Sequence, residues 1–285
     1  MEYVALGGTG ERVSRLGCGG APAGLTNYLE EYDPQVARQR EQVLAALECA
    51  IELGVTYFDT APGYGQGAGE AIFGEALEPH GDGVFIASKY GLWQGQQLRE
   101  SVEGSLRRLR CDRLDLLQIH GGSYSEQQVD EILAPGGLLE RMEGLREEGM
   151  VRYLGFTSED NNPGLYRLMR CGRFDVVQLC YNFLHQHPYD PSREHGSLYV
   201  ARECGLGTAA MRVTTSGLFS RWLAQVNPDG AFGYTPALIQ FVLSCPLVDV
   251  ALVGMRRPEE VEQNVSLVED RAGRVDLDRL FERYV

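Results

Sequence analysis

Four side chains of unlike chemistry occupy related places in this sequence. Asp59 closes the β-branched and aromatic run 55–58, Lys89 closes the apolar run 84–88, and His120 closes the run 114–119. Tyr64 follows Asp59 by five residues, in a stretch rich in glycine. Short apolar runs that stop at a polar residue or a glycine read as buried strands, so a carboxylate, an ammonium and an imidazole each stand at a strand's carboxyl end, with a phenol on the loop beside them. Such a set can donate a proton to a carbonyl oxygen while another reagent attacks the carbon. A tyrosine hydroxyl, with an ordinary pKa of about 10, is a weak acid at neutral pH, and an adjacent ammonium lowers that value by favouring phenolate. Lys89 would supply this field, Asp59 would hold Lys89, and His120 would orient the substrate oxygen. Taken singly, each has a structural alternative: a turn cap, a loop-packing ring, a solvated cation, a hydrogen-bonded core imidazole. Their joint position at successive strand ends is what points to chemistry.

Lys89 also stands apart in composition. Of the 26 cationic side chains, 25 are arginine and only this one is lysine. A guanidinium stays charged at every accessible pH, whereas a compact ammonium with an adjustable pKa can tune a proton relay.

The elements that must position these residues alternate along the chain without a linker or a low-complexity tract. Residues 3–14 predict a small hairpin turning at 7–10. Barrel-type strands follow at 16–20, 55–58, 84–88, 114–119, 151–156, 176–179, 207–211 and 250–253. Helical spacing is expected over about 35–53, 70–77, 98–109, 132–148 with an interruption at Pro135-Gly136-Gly137, and 237–244, with the last of these opened by Thr235 and Pro236. Eight strand–helix units of this rhythm predict an α/β protein, a single-domain (β/α)8 TIM barrel over 1–285 with a short N-terminal β-hairpin, whose chemistry belongs at the carboxyl ends of the strands.

Composition narrows the partners. A net charge of −14 argues against nucleic acid and anionic membrane surfaces. The N-terminus lacks a basic region followed by a long apolar run, and no stretch is long enough to span a bilayer. Seven cysteines, an odd number with no C-x-x-C pair, suit buried thiols in a reducing compartment and lead to a cytoplasmic expectation. Oligomeric state leaves no signature.

Phe58-Asp59-Thr60-Ala61-x-x-Tyr64-Gly65 with Glu70, Ser88-Lys89 and Gln118-Ile119-His120 together resemble the aldo-keto reductase superfamily. The resemblance extends to residues 155–158, to Val177-Gln178 with Tyr181-Asn182, and to 254–264, so that it covers nearly the whole chain. It implies an Asp–Tyr–Lys–His catalytic set at Asp59, Tyr64, Lys89 and His120, small carbonyl or alcohol substrates, and an extended NADP(H), with NAD(H) as the less frequent choice, bound without a Rossmann domain. The cofactor would meet Gly20, Thr157, Ser158, Gln178, Met211, Arg212, Gly217, Leu218, Gly254, Arg256, Arg257, Glu260 and Asn264. The absence of a complete G-x-G-x-x-G after a strand agrees with that expectation. Arg256 and Arg257 precede a helix opened by Pro258, where free backbone N–H groups already favour an anion and two guanidiniums suit a 2′-phosphate.

Departures from the family pattern carry expectations of their own. Thr157-Ser158 stands where many members have Ser-Asn, so hydroxyls would replace an amide contact to the nicotinamide. Met211 stands where an aromatic ring often stacks, and Arg212 could reach a pyrophosphate or form a rim salt bridge. With little chain after the last helix, substrate choice would rest on Trp93, on the loops 22–34 and 121–127, and on residues after the seventh barrel strand. Two other classes compete: a metal-dependent hydrolase using the H-x-H pair His185 and His187, which would leave Lys89 and Tyr64 without a role, and a nucleotide-binding sensor on the same barrel.

Overall fold

The computed structural model describes residues 1–92, 97–230 and 233–282. A hairpin of β1 (Tyr3–Ala5) and β2 (Arg12–Ser14) precedes eight parallel strands: β3 (Leu16–Gly19), β4 (Tyr57–Asp59), β5 (Phe85–Gly91), β6 (Leu114–His120), β7 (Val151–Ser158), β8 (Val176–Cys180), β9 (Gly207–Met211) and β10 (Val250–Val253). These eight pair in chain order and close where β10 meets β3, at Ala251 opposite Leu16. The hairpin plugs the amino-terminal mouth: Leu6 and Val13 are buried against Tyr57, Phe85, Leu116, Val176 and Val250. Gly7, at a φ of +49°, presses so close to the start of β9 that a Cβ there would lie 2.1 Å from the Gly207 nitrogen.

Side chains alternate between the two faces of each strand. Tyr57, Phe85, Ala87 and Leu116 pack inside the barrel, whereas Phe58, Ile86, Leu117 and Ile119 pack outward against the helices. The same parity carries Asp59, Lys89, Gln118 and His120 inward at the carboxyl ends. Register completes the convergence, with Gly19 opposite Asp59 and Lys89 opposite Gln118.

Between the strands lie α1 (Ala21–Gly24), α2 (Ala37–Glu52), α3 (Ala68–Leu77), α4 (Leu98–Leu109), α5 (Glu126–Leu133), α6 (Leu138–Glu147), α7 (Pro163–Arg170), α8 (Ser197–Glu203), α9 (Leu218–Val226), α10 (Thr235–Leu243), α11 (Pro258–Glu269) and α12 (Leu277–Glu282). The interruption expected at 135–137 separates two helices, the first of which begins at Glu126. Ala134, extended at a ψ of 154°, ends α5 because the following proline disfavours helical backbone, and Gly137 caps α6. Ser125 and Gln128 open α5 with a reciprocal capping box that the sequence reading missed. All seven cysteines are free thiols. No described helix is long and apolar enough to cross a membrane.

Candidate active site

At the carboxyl mouth of the barrel, Lys89 Nζ donates to Asp59 Oδ1 at 2.5 Å and to the Thr60 carbonyl at 2.8 Å, with only 1% of Lys89 and 3% of Asp59 exposed. Gln118 Nε2 donates to the second Asp59 oxygen at 2.8 Å, so both carboxylate oxygens are held. Burial pushes the Lys89 pKa down, but the Asp59 carboxylate and the Tyr64 hydroxyl outweigh it, and the net direction is up. Lys89 therefore stays an ammonium at neutral pH. Gln118 belongs to the stretch that carries His120 and sits two residues before it on the same inner face; that spacing was the available sign of its role.

Tyr64 is delivered by the glycine-rich turn after β4. Its carbonyl accepts from Gly69 N at 3.1 Å and crowds Gly24, where a Cβ would lie 2.4 Å away. Gly65, at a φ of +65°, makes the reversal that a side chain would strain. The Tyr64 ring has Lys89 Nζ 5.2 Å from its centroid and stands edge-on to the His120 ring at 5.7 Å. Lys89 does pull the Tyr64 pKa down, as expected, but the net direction in this environment is up. Burial raises it and Asp59 adds to the rise, which together exceed the opposing pull of Lys89. Tyr64 thus keeps its proton at neutral pH, the form an acid needs. His120 moves the other way: burial and the neighbouring Lys89 charge push its pKa down to about 3, so its ring is neutral.

Behind β5 lies a second polar cluster. Glu70, fully buried on α3, accepts from Ser88 Oγ at 2.6 Å and from Arg108 Nε at 2.7 Å. This ties the outward face of β5 to α3 and α4 one residue before Lys89. Glu70 belongs to the sequence motif, but its spacing alone gave it no partner.

A cleft of about 280 Å³ runs from Asp59, Tyr64 and His120 past Gly20, Gln178, Met211 and Arg212 to Gly254. Gln178 donates to Met211 Sδ at 3.6 Å, while its Oε1 is buried without a protein partner. Arg212 forms the rim alternative: its Nη2 donates to Glu159 Oε1 at 2.5 Å. Thr157 and Ser158 do not line the cleft. Thr157 Oγ1 exchanges hydrogen bonds with the Gly121 backbone, and Ser158, on the outward parity of β7, bonds to Gly122 and Asp160. The hydroxyls expected to replace an amide contact are thus engaged by the loop after β6. Gly217, at a φ of +71°, begins α9, and the first residue of that helix, Leu218, is exposed. Trp93 lies outside the described residues.

Beyond Gly254, Arg256 is 6% exposed, with its guanidinium 4.5 Å over the Tyr32 ring. Arg256 Nη2 and Arg257 Nη1 both donate to Glu30 Oε1 at 2.7 Å. Glu260 closes the start of α11, accepting the Arg256 and Arg257 amides at 2.7 and 3.2 Å and the Arg257 side chain at 2.5 Å. Asn264 is buried on the same helix. Glu30 was not singled out in the sequence; no spacing announces an ion pair across 226 residues.

The His185–His187 pair belongs to a turn in which Asn182 Oδ1 accepts from the amides of Leu184 and His185. Among the described residues, no group of three or more His, Cys, Asp or Glu is placed to hold a metal ion.

Residues 16–232 match the Aldo/keto reductase family. The chain is 29% identical over 294 residues to L-galactose dehydrogenase of Arabidopsis thaliana, covering 94% of this chain and 88% of that protein. It is 28% identical over 284 residues to D-threo-aldose 1-dehydrogenase of a Pseudomonas species, covering 79% and 82% respectively. Among solved structures, an aldo/keto reductase from Klebsiella pneumoniae in complex with NADP and acetate superposes with a TM-score of 0.71 at 25% identity, over 99% of this chain and 96% of that one.

Proposed function

The chain belongs to the aldo/keto reductase family, and from that premise we propose that it is an NADP(H)-dependent oxidoreductase of small carbonyl and alcohol substrates, with Tyr64 as the residue that gives and takes the proton. The observation that carries this reading is the convergence of Tyr64, Lys89, Asp59 and His120 at one end of a cleft that runs to Gly254, two residues before Arg256 in the chain. The residues present fit a dinucleotide. Gln178 Oε1 offers an unused acceptor to a carboxamide, and Arg256 Nη1 an unused donor to a phosphate. When bound, the nicotinamide supplies or accepts the hydride.

Everything else falls to the chain's own side chains. In the reducing direction Tyr64 Oη donates its proton to the substrate oxygen, and the Lys89 ammonium stabilises the phenolate left behind. Asp59, fixed by Gln118, keeps Lys89 in place. The neutral His120 ring offers a hydrogen bond that orients the oxygen without adding a charge. In the oxidising direction Tyr64 Oη takes the proton back. Gly20, Met211 and Gly254 would line the bound cofactor, with Arg256 and Arg257 at its phosphate end. Two of the relatives described above are dehydrogenases of sugars, which puts aldoses first among the substrates to try. Seven free thiols support a reducing, cytoplasmic setting, and the strongly acidic balance supports a protein without nucleic-acid or membrane partners.

The test is a fluorescence titration with NADPH and NADH, followed by a panel of aldoses, aldehydes and ketones read at the nicotinamide absorbance. Binding followed by turnover is the expected result. Binding without turnover of any substrate turns the reading toward a sensor, and failure to bind either dinucleotide overturns it.

A further inference from the structure

We propose that Glu30 is a built-in stand-in for the cofactor's 2′-phosphate, occupying the two-arginine site until a 2′-phosphorylated nucleotide displaces it, and so sets the balance between NADPH and NADH. The inference rests on the dinucleotide reading above and adds to it a residue that no sequence motif marks.

The site is built for more anion than it holds. Arg256 is nine-tenths buried, stacked on Tyr32, and one of its terminal nitrogens has no protein partner. Its other terminal nitrogen and one from Arg257 converge on a single carboxylate oxygen of Glu30, each at 2.7 Å. Two guanidinium nitrogens thus share one oxygen of a single carboxylate, and a third, Arg256 Nη1, is buried without a protein partner. A phosphate monoester brings three acceptor oxygens and about −1.5 to −2 charges, and so can give each guanidinium an oxygen of its own where Glu30 offers one to both. The Arg256 and Arg257 amides just ahead of α11 do not compete for it, because Glu260 already accepts from both.

Glu30 can leave without unfolding its surroundings. The segment carrying it is pinned on both sides: Asn27 N donates to the Tyr32 carbonyl at 2.9 Å, the Tyr32 amide returns a bond to Asn27 Oδ1 at 2.9 Å, and the Tyr32 hydroxyl donates to the Ala23 carbonyl at 2.8 Å. Glu30 lies between those anchors with its side chain 46% exposed. A half-exposed carboxylate on a short loop tip is a partner that water or a stronger anion can replace at small cost.

Two consequences separate this role from a plain surface salt bridge. Glu30 competes with a 2′-phosphate but has nothing to displace when the nucleotide carries a 2′-hydroxyl. Removing its charge therefore tightens binding of 2′-phosphorylated nucleotides alone.

The experiment is isothermal titration of the wild-type protein, Glu30→Gln and a control, Glu31→Gln, with NADPH, NADH and adenosine 2′,5′-bisphosphate. The control makes the same change in net charge one residue away. The expected result is at least a tenfold fall in Kd for NADPH and for the bisphosphate in Glu30→Gln, with NADH within threefold and the control within twofold of wild type. Unchanged NADPH and bisphosphate affinities in Glu30→Gln overturn the stand-in while leaving the dinucleotide reading intact. A loss of NADH affinity of tenfold or more in that variant also overturns it, by making Glu30 a ribose-hydroxyl acceptor. An equal gain in the control reduces the effect to net charge and overturns it as well. If neither dinucleotide binds any of the three proteins, the functional reading itself fails.

Discussion

The inner end of the cleft and the arginine pair that follows Gly254 are built from the same chemistry, a cation paired with a carboxylate, and differ in whether that pair can be exchanged. At the inner end Lys89 and Asp59 are almost wholly buried, and both Asp59 oxygens are occupied. At the outer end Glu30, 46% exposed in its side chain, is shared between Arg257, 40% exposed, and Arg256, 8% exposed, so that the exchangeable member there is the carboxylate. Removing one member of a buried pair strands the other's charge in a medium that cannot solvate it, at about 3–5 kcal/mol, whereas exposed pairs contribute about 0–1 kcal/mol. The inner pair is therefore a permanent fixture, and the outer one is provisional, free to be traded for a ligand. Placement decides this, since the residue types at the two ends are nearly the same.

Substitutions along the cleft test this contrast, and the largest effect belongs at the inner end. Tyr64→Phe removes the hydroxyl assigned to move the substrate proton, so kcat should fall about 10²- to 10⁴-fold while the Kd for NADPH changes less than threefold. Steady-state kinetics beside a binding titration read both, and retention of more than a tenth of kcat would remove Tyr64 from its assigned role. Asp59→Asn should cost stability as well as turnover, by about 3–5 kcal/mol in denaturant unfolding, because the Lys89 ammonium loses its counter-charge inside the barrel. A loss under 1 kcal/mol would erase the distinction between the two ends.

A smaller effect concerns pH. His120 is held neutral down to about 3 in the folded protein, while an unfolded histidine gains a proton below about 6.5. Between those values the unfolded chain binds the extra proton, so this residue's contribution to stability is full above pH 6.5 and is lost as pH falls toward 3. His120→Asn should therefore lose less stability than wild type between pH 7.5 and 5, by about 1–2 kcal/mol. Equal losses would mean that the ring is not held neutral. The smallest effect is expected at the rim. Arg212→Gln breaks an exposed pair with Glu159 and should change stability by less than about 1 kcal/mol. A larger loss would show that rim pairs are not all provisional.

The inner end was legible in the sequence because strand parity and strand ends are local properties. Asp59, Lys89 and His120 each terminate an apolar run, and a period of two then carries them inward together. The direction of the Tyr64 pKa was not legible, because burial is set by the whole barrel mouth, and the sequence displays Lys89 but not the depth of the site. The outer end was half legible. Arg256 and Arg257 announced an anion site, but Glu30 lies more than 200 residues away, on a loop whose path only the closed barrel defines. The partners of Thr157 and Ser158 were hidden for a related reason, since the carbonyls their hydroxyls reach lie on the loop after β6. The break after Leu133 was legible from Pro135-Gly136-Gly137, while the helix before it, capped by Ser125 and Gln128, was not.

The scarcity of lysine has a use outside catalysis. A protease that cuts only after lysine finds one bond in the whole sequence, after Lys89. In the folded protein that bond lies within a hydrogen-bonded barrel strand and its side chain is 1% exposed. Cleavage therefore requires β5 to leave the barrel, and it yields just two fragments, residues 1–89 and 90–285. The residue that anchors the site makes the molecule its own reporter of opening, with each cut recording one excursion of the strand that holds the site together.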